Sequence, residues 1–380
     1  MHPRRDSPRS LRSARSRHRR NRPRALLHRP GKSSGAAQRR LRREPESRAR
    51  RNRVHRAFGG GGKDRPGPRS HRPYSSSAPV NGYFRDPGFD AAFARDGFVV
   101  VDLLGGEAVE ALSREARRLL PSERSFNDPQ GAAYTSYFDL EYRAEASALI
   151  RSFVEPALTE VLVGFEPLFA TFFWKPGKGP ETPIHQHSPY VSDLRGATIN
   201  CWCPLVDCTR DSGALTIVPR SQRLTRHIQV PMRPAYWQSF TASLQQQYLE
   251  AIEVRAGQAV LFDDTMPHGA ARNAREQDRL VTLTTMVPEG ATPSYVVGDE
   301  GGEVAVAYAA EDEYAYSDMF NGRLPAPSER RPLARVDESC EPIDAAEWRH
   351  RLRMRGVHPR GSWQRRISRL KKLLVREELW

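Results

Sequence analysis

Residues 197–221 read ATINCWCPLVDCTRDSGALTIVPRS, and this stretch decides the fold. Along residues 197–206 the side chains alternate in character around Cys201, Trp202 and Cys203. A second, apolar run, Ala214–Val218, ends at Pro219. Alternation with a period of two is typical of a β-strand, and the polar, glycine-containing residues between the two runs favour a turn. The sequence therefore predicts two short strands that follow each other closely.

Outward from this stretch, the pattern of short strands continues on both sides. Further strands are predicted at residues 97–101, 169–174, 259–262 and 280–287, and helices at residues 106–120, 145–162 and 235–252. Many short strands separated by turn residues favour a barrel or a double-sheet jelly roll. The expected fold is therefore mainly β, with flanking α-helices.

Three histidines form a metal-binding pattern within these predicted strands. His185 and His187 are two residues apart, so on a strand both side chains lie on one face, and His268 follows after the predicted strand 259–262. Two histidines at this spacing and a third from a distant strand can build a three-ligand metal site with open coordination positions. Imidazole plus carboxylate in a facial arrangement favours non-haem Fe(II). Each histidine can also be an ordinary hydrogen-bonded residue, and Asp193 is a further candidate ligand.

Other polar and aromatic residues near these motifs are candidate site residues. Arg279, at the start of a predicted strand, has a planar guanidinium that suits a carboxylate, but it can also pair with Glu276 or Asp278. Lys175 can reach a cosubstrate or an acidic substrate, although a position in a solvated loop is the favoured interpretation. Asp263-Asp264, before His268, favours a turn. Tyr134, Phe138 and Tyr190 are candidates for a substrate pocket.

Residues from about 88 to 296 resemble the phytanoyl-CoA dioxygenase family of Fe(II)- and 2-oxoglutarate-dependent oxygenases. The resemblance combines several motifs in order, which makes it specific where no single motif is. The matching segments are Phe93–Val101 before a helix, His185-Gln186 at the start of an H-x-D motif, Trp202–Asp207, Ser212–Ser221, and the block Asp263-Asp264, His268-Gly269, Asn273 and Arg279.

This resemblance implies a double-stranded β-helix, a jelly-roll or cupin-like barrel, with Fe(II) in its mouth. It implies that His185 and His268 bind the iron. His187 is the third candidate ligand from its own position, two residues after His185, and not from the family pattern. The resemblance further implies that Arg279 binds the distal carboxylate of 2-oxoglutarate and that Trp202 lies beside this cosubstrate, unless Trp202 is simply a core residue. The implied reaction oxidises or hydroxylates a small organic substrate with O2 and releases succinate and CO2.

Two positions depart from the family pattern. His187 stands where the second ligand is usually a carboxylate, so three neutral imidazoles leave the Fe(II) site one unit more positive. Ala270 stands where a serine is usual, which removes one hydroxyl contact to 2-oxoglutarate and weakens its binding by about 1 kcal/mol. The alternative hypothesis is a catalytically degenerate, cupin-like protein that binds a metal or a ligand.

The net charge of +15 is divided unevenly along the 380 residues. Residues 1–80 carry 25 basic and 4 acidic residues, whereas residues 81–350 carry 25 basic and 39 acidic residues, a net of −14. A phosphate-binding face needs clustered Lys and Arg, so the acidic body does not favour specific nucleic-acid binding.

The chain is therefore expected to have three parts. Residues 1–82, rich in Arg, Ser and Pro, are expected to be disordered, residues 83–335 to form the oxygenase domain, and residues 336–380 to form a basic extension. Within the extension, apolar residues at helical spacing between Trp363 and Leu374 predict an amphipathic helix that docks on the domain or contacts an anionic membrane. The expected location is cytoplasmic, because reduced, buried cysteines are typical there.

Overall fold

The computed structural model describes residues 82–122, 125–194, 196–225, 227–298, 304–323, 330, 332–336 and 343–360. The basic segment predicted at residues 1–82, apart from Gly82, lies outside these residues, as does the helix predicted between Trp363 and Leu374. The described residues form antiparallel sheets with several helices, so the coarse expectation of a mainly β protein is confirmed.

Short strands and a few helices alternate along the described part of the chain. The helices are α1 (Pro87–Asp96), α2 (Gly106–Leu119), α3 (Arg143–Val161), α4 (Thr241–Gln247), α5 (Ala315–Phe320) and α6 (Ala345–Met354). The strands are β1 (Phe98–Asp102), β2 (Tyr134–Thr135), β3 (Phe165–Lys175), β4 (Thr182–His185), β5 (Ile199–Pro204), β6 (Leu215–Ile217), β7 (Glu250–Ala251), β8 (Gln258–Asp263), β9 (His268–Ala270), β10 (Arg279–Pro288), β11 (Ser294–Gly298), β12 (Ala305–Ala309) and β13 (Pro332–Val336).

The largest sheet has six antiparallel strands in the order β1-β8-β5-β10-β3-β2. One face packs against α2 and α3, because α2 places Leu112 and Ala116 on one buried stripe and α3 does the same with Ile150 and Val154. Cys201 and Cys203 of β5 both belong to this core, as their spacing predicts.

The other face of this sheet lies over the four-stranded sheet β4-β9-β6-β7. Trp202 of β5 and Phe262 of β8 share a second core with Leu215 and Ile217 of β6. Every residue of β5 is buried, because helices cover one of its faces and the smaller sheet covers the other. The functional residues described below lie on this second, sheet-to-sheet side.

The remaining sheet has three strands, and the last described helix packs into a separate core. The strands β11-β12-β13 form a separate antiparallel sheet, and Trp348 and Leu352 of α6 are buried against Trp237 and Leu244. No helix among the described residues is both long enough and apolar enough to cross a lipid bilayer.

The prediction of a helix over residues 235–252 is wrong in length. The structure has a 3-10 turn at Gln238–Phe240, then the seven-residue α4, and ends this segment in the strand β7. Tyr236, Trp237 and Phe240 are all buried in one aromatic cluster, so packing of these side chains sets the local backbone rather than helix periodicity.

Candidate metal centre

Strand pairing brings two of the predicted histidines together. The strand β4 pairs antiparallel with β9, and His185, the last residue of β4, lies directly opposite His268, the first residue of β9. Gly269 allows this close pairing, because a Cβ atom added there lies only 2.5 Å from the carbonyl oxygen of Thr182. The 83-residue separation between His185 and His268 is therefore closed by two short strands.

His187 joins this pair from outside the strand. The premise that His185 and His187 share a strand face is wrong, because β4 ends at His185. The imidazole of His187 nevertheless lies 4.6 Å from that of His268, and His185 lies 4.3 Å from His268, between ring centroids. Ligand atoms of the three side chains all lie within 4.8 Å of one another, a spacing from which small rotations bring them to one ion.

Two of the three histidines are held in the form that a metal requires. The Nδ1 atoms of His185 and His268 lie 2.9 Å and 2.8 Å from the carbonyl oxygens of Pro183 and Met266. A carbonyl only accepts, so each Nδ1 carries the proton and each Nε2 keeps a free lone pair. This is the usual arrangement behind a metal-ligating imidazole.

Burial keeps these imidazoles neutral. Burial, with a smaller effect of the neighbouring His185 in the same direction, lowers the pKa of His187 to about 3. Burial also lowers the pKa of His185, and it lowers that of His268 well below its ordinary value, with help from the other two histidines. Neutral imidazoles are the ligating form, so the site does not have to lose protons near neutral pH before a cation binds.

The third histidine has a side-chain partner instead of a backbone carbonyl. The Nδ1 atom of His187 lies 3.2 Å from Nδ2 of Asn200, which is fully buried on β5. The hydroxyl of Thr285, on the neighbouring strand β10, donates to Oδ1 of Asn200 at 3.1 Å. Neither Asn200 nor Thr285 stands out in the sequence, because their contact depends on the pairing of β5 with β10.

Arg279 is a buried cation without an anionic partner among the described residues. Its side chain is 2% exposed, its Nη1 donates to the carbonyl of Gly213 at 3.1 Å, and its Nε has no acceptor. The alternative ion pairs are not formed, because Asp278 accepts from Trp174 and Gly177, while Glu276 pairs with Lys178. Burial lowers the pKa of Arg279, and no carboxylate offsets this effect.

Trp202 lies beside Arg279 and is at the same time a core residue. The guanidinium carbon of Arg279 is 5.7 Å from the centre of the Trp202 ring, and Trp202 belongs to the core between the two sheets. Ala270 lies on the wall of the same cavity as these two residues. The two interpretations of Trp202, cavity wall and core residue, therefore both describe its position.

Lys175 is not in a solvated loop, and that interpretation is corrected. It is the last residue of β3 and is fully buried, and its Nζ donates to the carbonyls of Pro180 and Ala271 and to the hydroxyl of Thr182. Burial lowers the pKa of Lys175 to about 7, and the nearby positive charge of Arg279 acts in the same direction. Through these contacts Lys175 ties the start of β4 to the segment after β9.

The three histidines, Arg279 and Trp202 line one cavity of about 400 Å³. Part of its wall is aromatic and is made of Tyr137, Phe138, Phe169, Tyr190, Tyr316 and Phe320. Phe138 and Tyr190 thus have the position expected of them, but Tyr134 does not line the cavity and its hydroxyl donates to Asp139.

The acidic candidates lie outside the histidine cluster. Asp193 is exposed and is not one of the three clustered ligands. Asp263 and Asp264 are buried at the end of β8, where Asp263 accepts from Thr265 in a turn and pairs with Arg223 at 3.1 Å. Among the described residues the ligand cluster therefore consists of imidazoles alone.

Comparison with known proteins gives one family match. The family model described as phytanoyl-CoA dioxygenase matches residues 93–281, which contain the histidine cluster and Arg279. No curated protein matches the chain significantly.

Several solved structures are similar to the chain at low identity. The non-heme alpha ketoglutarate dependent epimerase SnoN from nogalamycin biosynthesis is 21% identical, with 55% of this chain and 86% of that chain covered and a TM-score of 0.40. The carbocyclase SnoK from the same biosynthesis is 18% identical, with 55% and 86% covered and a TM-score of 0.44. HygX from Streptomyces hygroscopicus, with nickel and 2-oxoglutarate bound, is 17% identical, with 54% and 88% covered and a TM-score of 0.40.

Proposed function

We propose that this chain, whose residues 93–281 belong to the phytanoyl-CoA dioxygenase family, is a non-haem Fe(II)- and 2-oxoglutarate-dependent oxygenase that oxidises a small organic substrate. The iron ligands are His185, His187 and His268. One observation carries the assignment: three convergent neutral imidazoles and a buried guanidinium without an anionic partner line the same cavity.

The proposed architecture is a double-stranded β-helix, or jelly roll. Its support is the pair of antiparallel sheets, with six and four strands, that share the core around Trp202 and Phe262. The metal centre then lies at the end of the four-stranded sheet, where β4 ends and β9 begins.

The residues fit both an iron ion and its dianionic cosubstrate. Three imidazoles leave coordination positions open, and imidazole nitrogen is a suitable ligand for Fe(II). Arg279 needs an anion, because an unpaired buried cation is costly, and a carboxylate can accept two parallel hydrogen bonds from its guanidinium. When bound, Fe(II) supplies the activation of O2, and 2-oxoglutarate supplies two electrons and leaves as succinate and CO2.

Each protein residue has a defined part in this function. Arg279 holds the distal carboxylate of the cosubstrate, and Trp202 packs beside it and keeps water away from this ion pair. The carbonyls of Pro183 and Met266 orient His185 and His268. Lys175 keeps the two ligand-bearing strands together.

The cavity favours a substrate that is largely apolar or aromatic and has a hydrogen-bond donor. These six aromatic side chains form part of its wall, and small-molecule sites are lined mainly by apolar and aromatic side chains. Gln186, between the two ligands of the H-x-H motif, has a buried Oε1 without a donor among the described residues. A hydroxyl or amine of the substrate can satisfy this oxygen.

The three buried free cysteines, Cys201, Cys203 and Cys208, fit the cytoplasmic location expected from the sequence. Specific nucleic-acid binding is not part of the proposal, since the body of the chain carries a net of −14.

The experiment that tests this function is turnover of 2-oxoglutarate by the purified protein with Fe(II) and ascorbate. We expect O2-dependent formation of succinate, and its loss in Arg279→Leu, which removes the guanidinium. A matched control is Arg349→Leu, on the exposed side of α6. Tight iron binding without succinate formation, with any mixture of candidate substrates, contradicts the proposal and favours a cupin-like binding protein.

A further inference from the structure

The histidine that departs from the family pattern has a hydrogen-bond environment unlike that of the other two. His185 and His268 face backbone carbonyls, which fix the proton on Nδ1 and leave Nε2 free. The Nδ1 of His187 instead faces the amide nitrogen of Asn200. An amide NH2 only donates, so in this arrangement Nδ1 accepts and neutral His187 carries its proton on Nε2.

That arrangement does not suit a metal ligand. For Nε2 to bind a cation, the neutral imidazole must carry its proton on Nδ1, and this N–H then points at the NH2 of Asn200. Two donors facing each other at 3.2 Å repel, and Asn200 is fully buried, so its amide cannot turn to solvent.

The side chain of Asn200 can resolve this conflict without moving its backbone. Rotating the amide by half a turn exchanges Oδ1 and Nδ2, so that Oδ1 accepts from Nδ1–H of His187. Nδ2 then faces the hydroxyl of Thr285, which donates to Oδ1 in the present arrangement and accepts equally well, because a hydroxyl does both. Both orientations therefore give each end of the amide one hydrogen-bond partner.

We propose that Asn200 and Thr285 form a reversible hydrogen-bond relay that sets the tautomer of His187 and allows an imidazole to serve as the third metal ligand. Asn200 is a positioning residue, since it acts on the metal only through His187. The inference rests on the proposed function, because it assigns His187 to the metal centre. It also explains how a buried position without a backbone acceptor supports a histidine ligand.

The test is binding of Zn(II) alone, a diamagnetic probe, to the full chain, combined with 15N NMR of the imidazoles. In the wild-type protein we expect the proton of His187 on Nε2 without metal and on Nδ1 with Zn(II). Asn200→Leu should weaken Zn(II) binding roughly 10- to 100-fold, the usual effect of removing the partner of a ligating histidine. Asn200→Asp should bind Zn(II) more tightly than Asn200→Leu, because a carboxylate accepts from Nδ1–H of His187. It should also place the proton of His187 on Nδ1 even without metal.

Thr285→Val provides a second variant with less effect on packing. It removes the acceptor of the rotated amide and should weaken Zn(II) binding less than Asn200→Leu does. The matched control is Thr284→Val, the same change one residue away on β10, where the hydroxyl is buried and has no hydrogen-bond partner among the described residues. This control should bind Zn(II) like the wild type.

The possible failures are distinguishable. If the wild type binds no Zn(II), the proposed metal centre fails and the relay with it. If the wild type binds Zn(II) but Asn200→Leu and Thr285→Val bind it equally well, only the relay is wrong. An unchanged proton position on His187 when Zn(II) binds also overturns the relay. A loss of affinity in Asn200→Asp equal to that in Asn200→Leu indicates a merely structural role for Asn200.

Discussion

A single hydroxyl distinguishes Ala270 from the serine that the family usually has at this position. Ala270 is only 8% exposed and lines the cavity near Arg279. We predict that Ala270→Ser lowers the KM for 2-oxoglutarate about fivefold, because one added hydrogen bond contributes about 1 kcal/mol. Ala271→Ser, whose side chain does not line the cavity, is the control. An unchanged or higher KM in Ala270→Ser means that the cosubstrate does not lie beside this residue.

The exchange His187→Asp tests whether the imidazole is a working ligand or marks lost activity. An aspartate has a shorter side chain, and the backbone after β4 is placed for the longer histidine. We predict that His187→Asp lowers the rate of succinate formation at least tenfold. His350→Asp, on the exposed face of α6, should leave the rate unchanged. A higher rate in His187→Asp means that the natural histidine has reduced an ancestral activity.

At the scale of secondary structure, the pairing of β4 with β9 determines whether the metal centre forms. Gly269 is the contact point, since any Cβ atom at this position collides with the carbonyl of Thr182 at 2.5 Å. We predict that Gly269→Ala separates the two strands and weakens Zn(II) binding more than tenfold, as measured by calorimetry. Gly106→Ala is the matched control, because a Cβ atom there meets nothing within 4 Å and alanine favours a helix. Equal Zn(II) affinity in both variants contradicts this role of the strand pair.

Much of this level of structure is predictable from the sequence. Period-two alternation identifies β5 and β10, and the spacing of the histidines together with the family motifs identifies the histidine cluster. The length of α4 and the position of His187 beyond its strand are not predictable, because packing of distant side chains sets both. Asn200 is invisible for the same reason: only the register between β5 and β10 brings it to Thr285, and only the loop after β4 brings it to His187.

At the scale of the whole molecule, an acidic body contains a buried cation at its cavity. Residues 81–350 carry a net of −14, yet Arg279 lines the cavity without an anionic partner among the described residues. The anionic cosubstrate is expected to bind at this guanidinium, inside an acidic protein. The large positive charge of the two ends gives no information about this site, which lies entirely within the described residues of the body.

Burial of Lys175 makes global stability depend on pH. Its pKa is about 7 when folded and about 10.5 when exposed, so between these values the unfolded chain binds more protons and stability rises with pH. We predict that thermal unfolding measured from pH 7 to 8 shows a steeper rise in stability for the wild type than for Lys175→Met. This range lies below the titration of unfolded cysteines, whose raised pKa values in the fold act in the opposite direction. Identical slopes contradict the burial of a titrating Lys175.

The central claim is that three histidines hold one iron ion beside a cosubstrate bound by Arg279. The most direct measurement is an anaerobic crystal structure of the protein with Fe(II) and 2-oxoglutarate. We predict that His185, His187 and His268 all bind the iron through Nε2 and that the distal carboxylate of 2-oxoglutarate pairs with Arg279. An iron ion without His187 among its ligands, or a cosubstrate that does not contact Arg279, contradicts the claim.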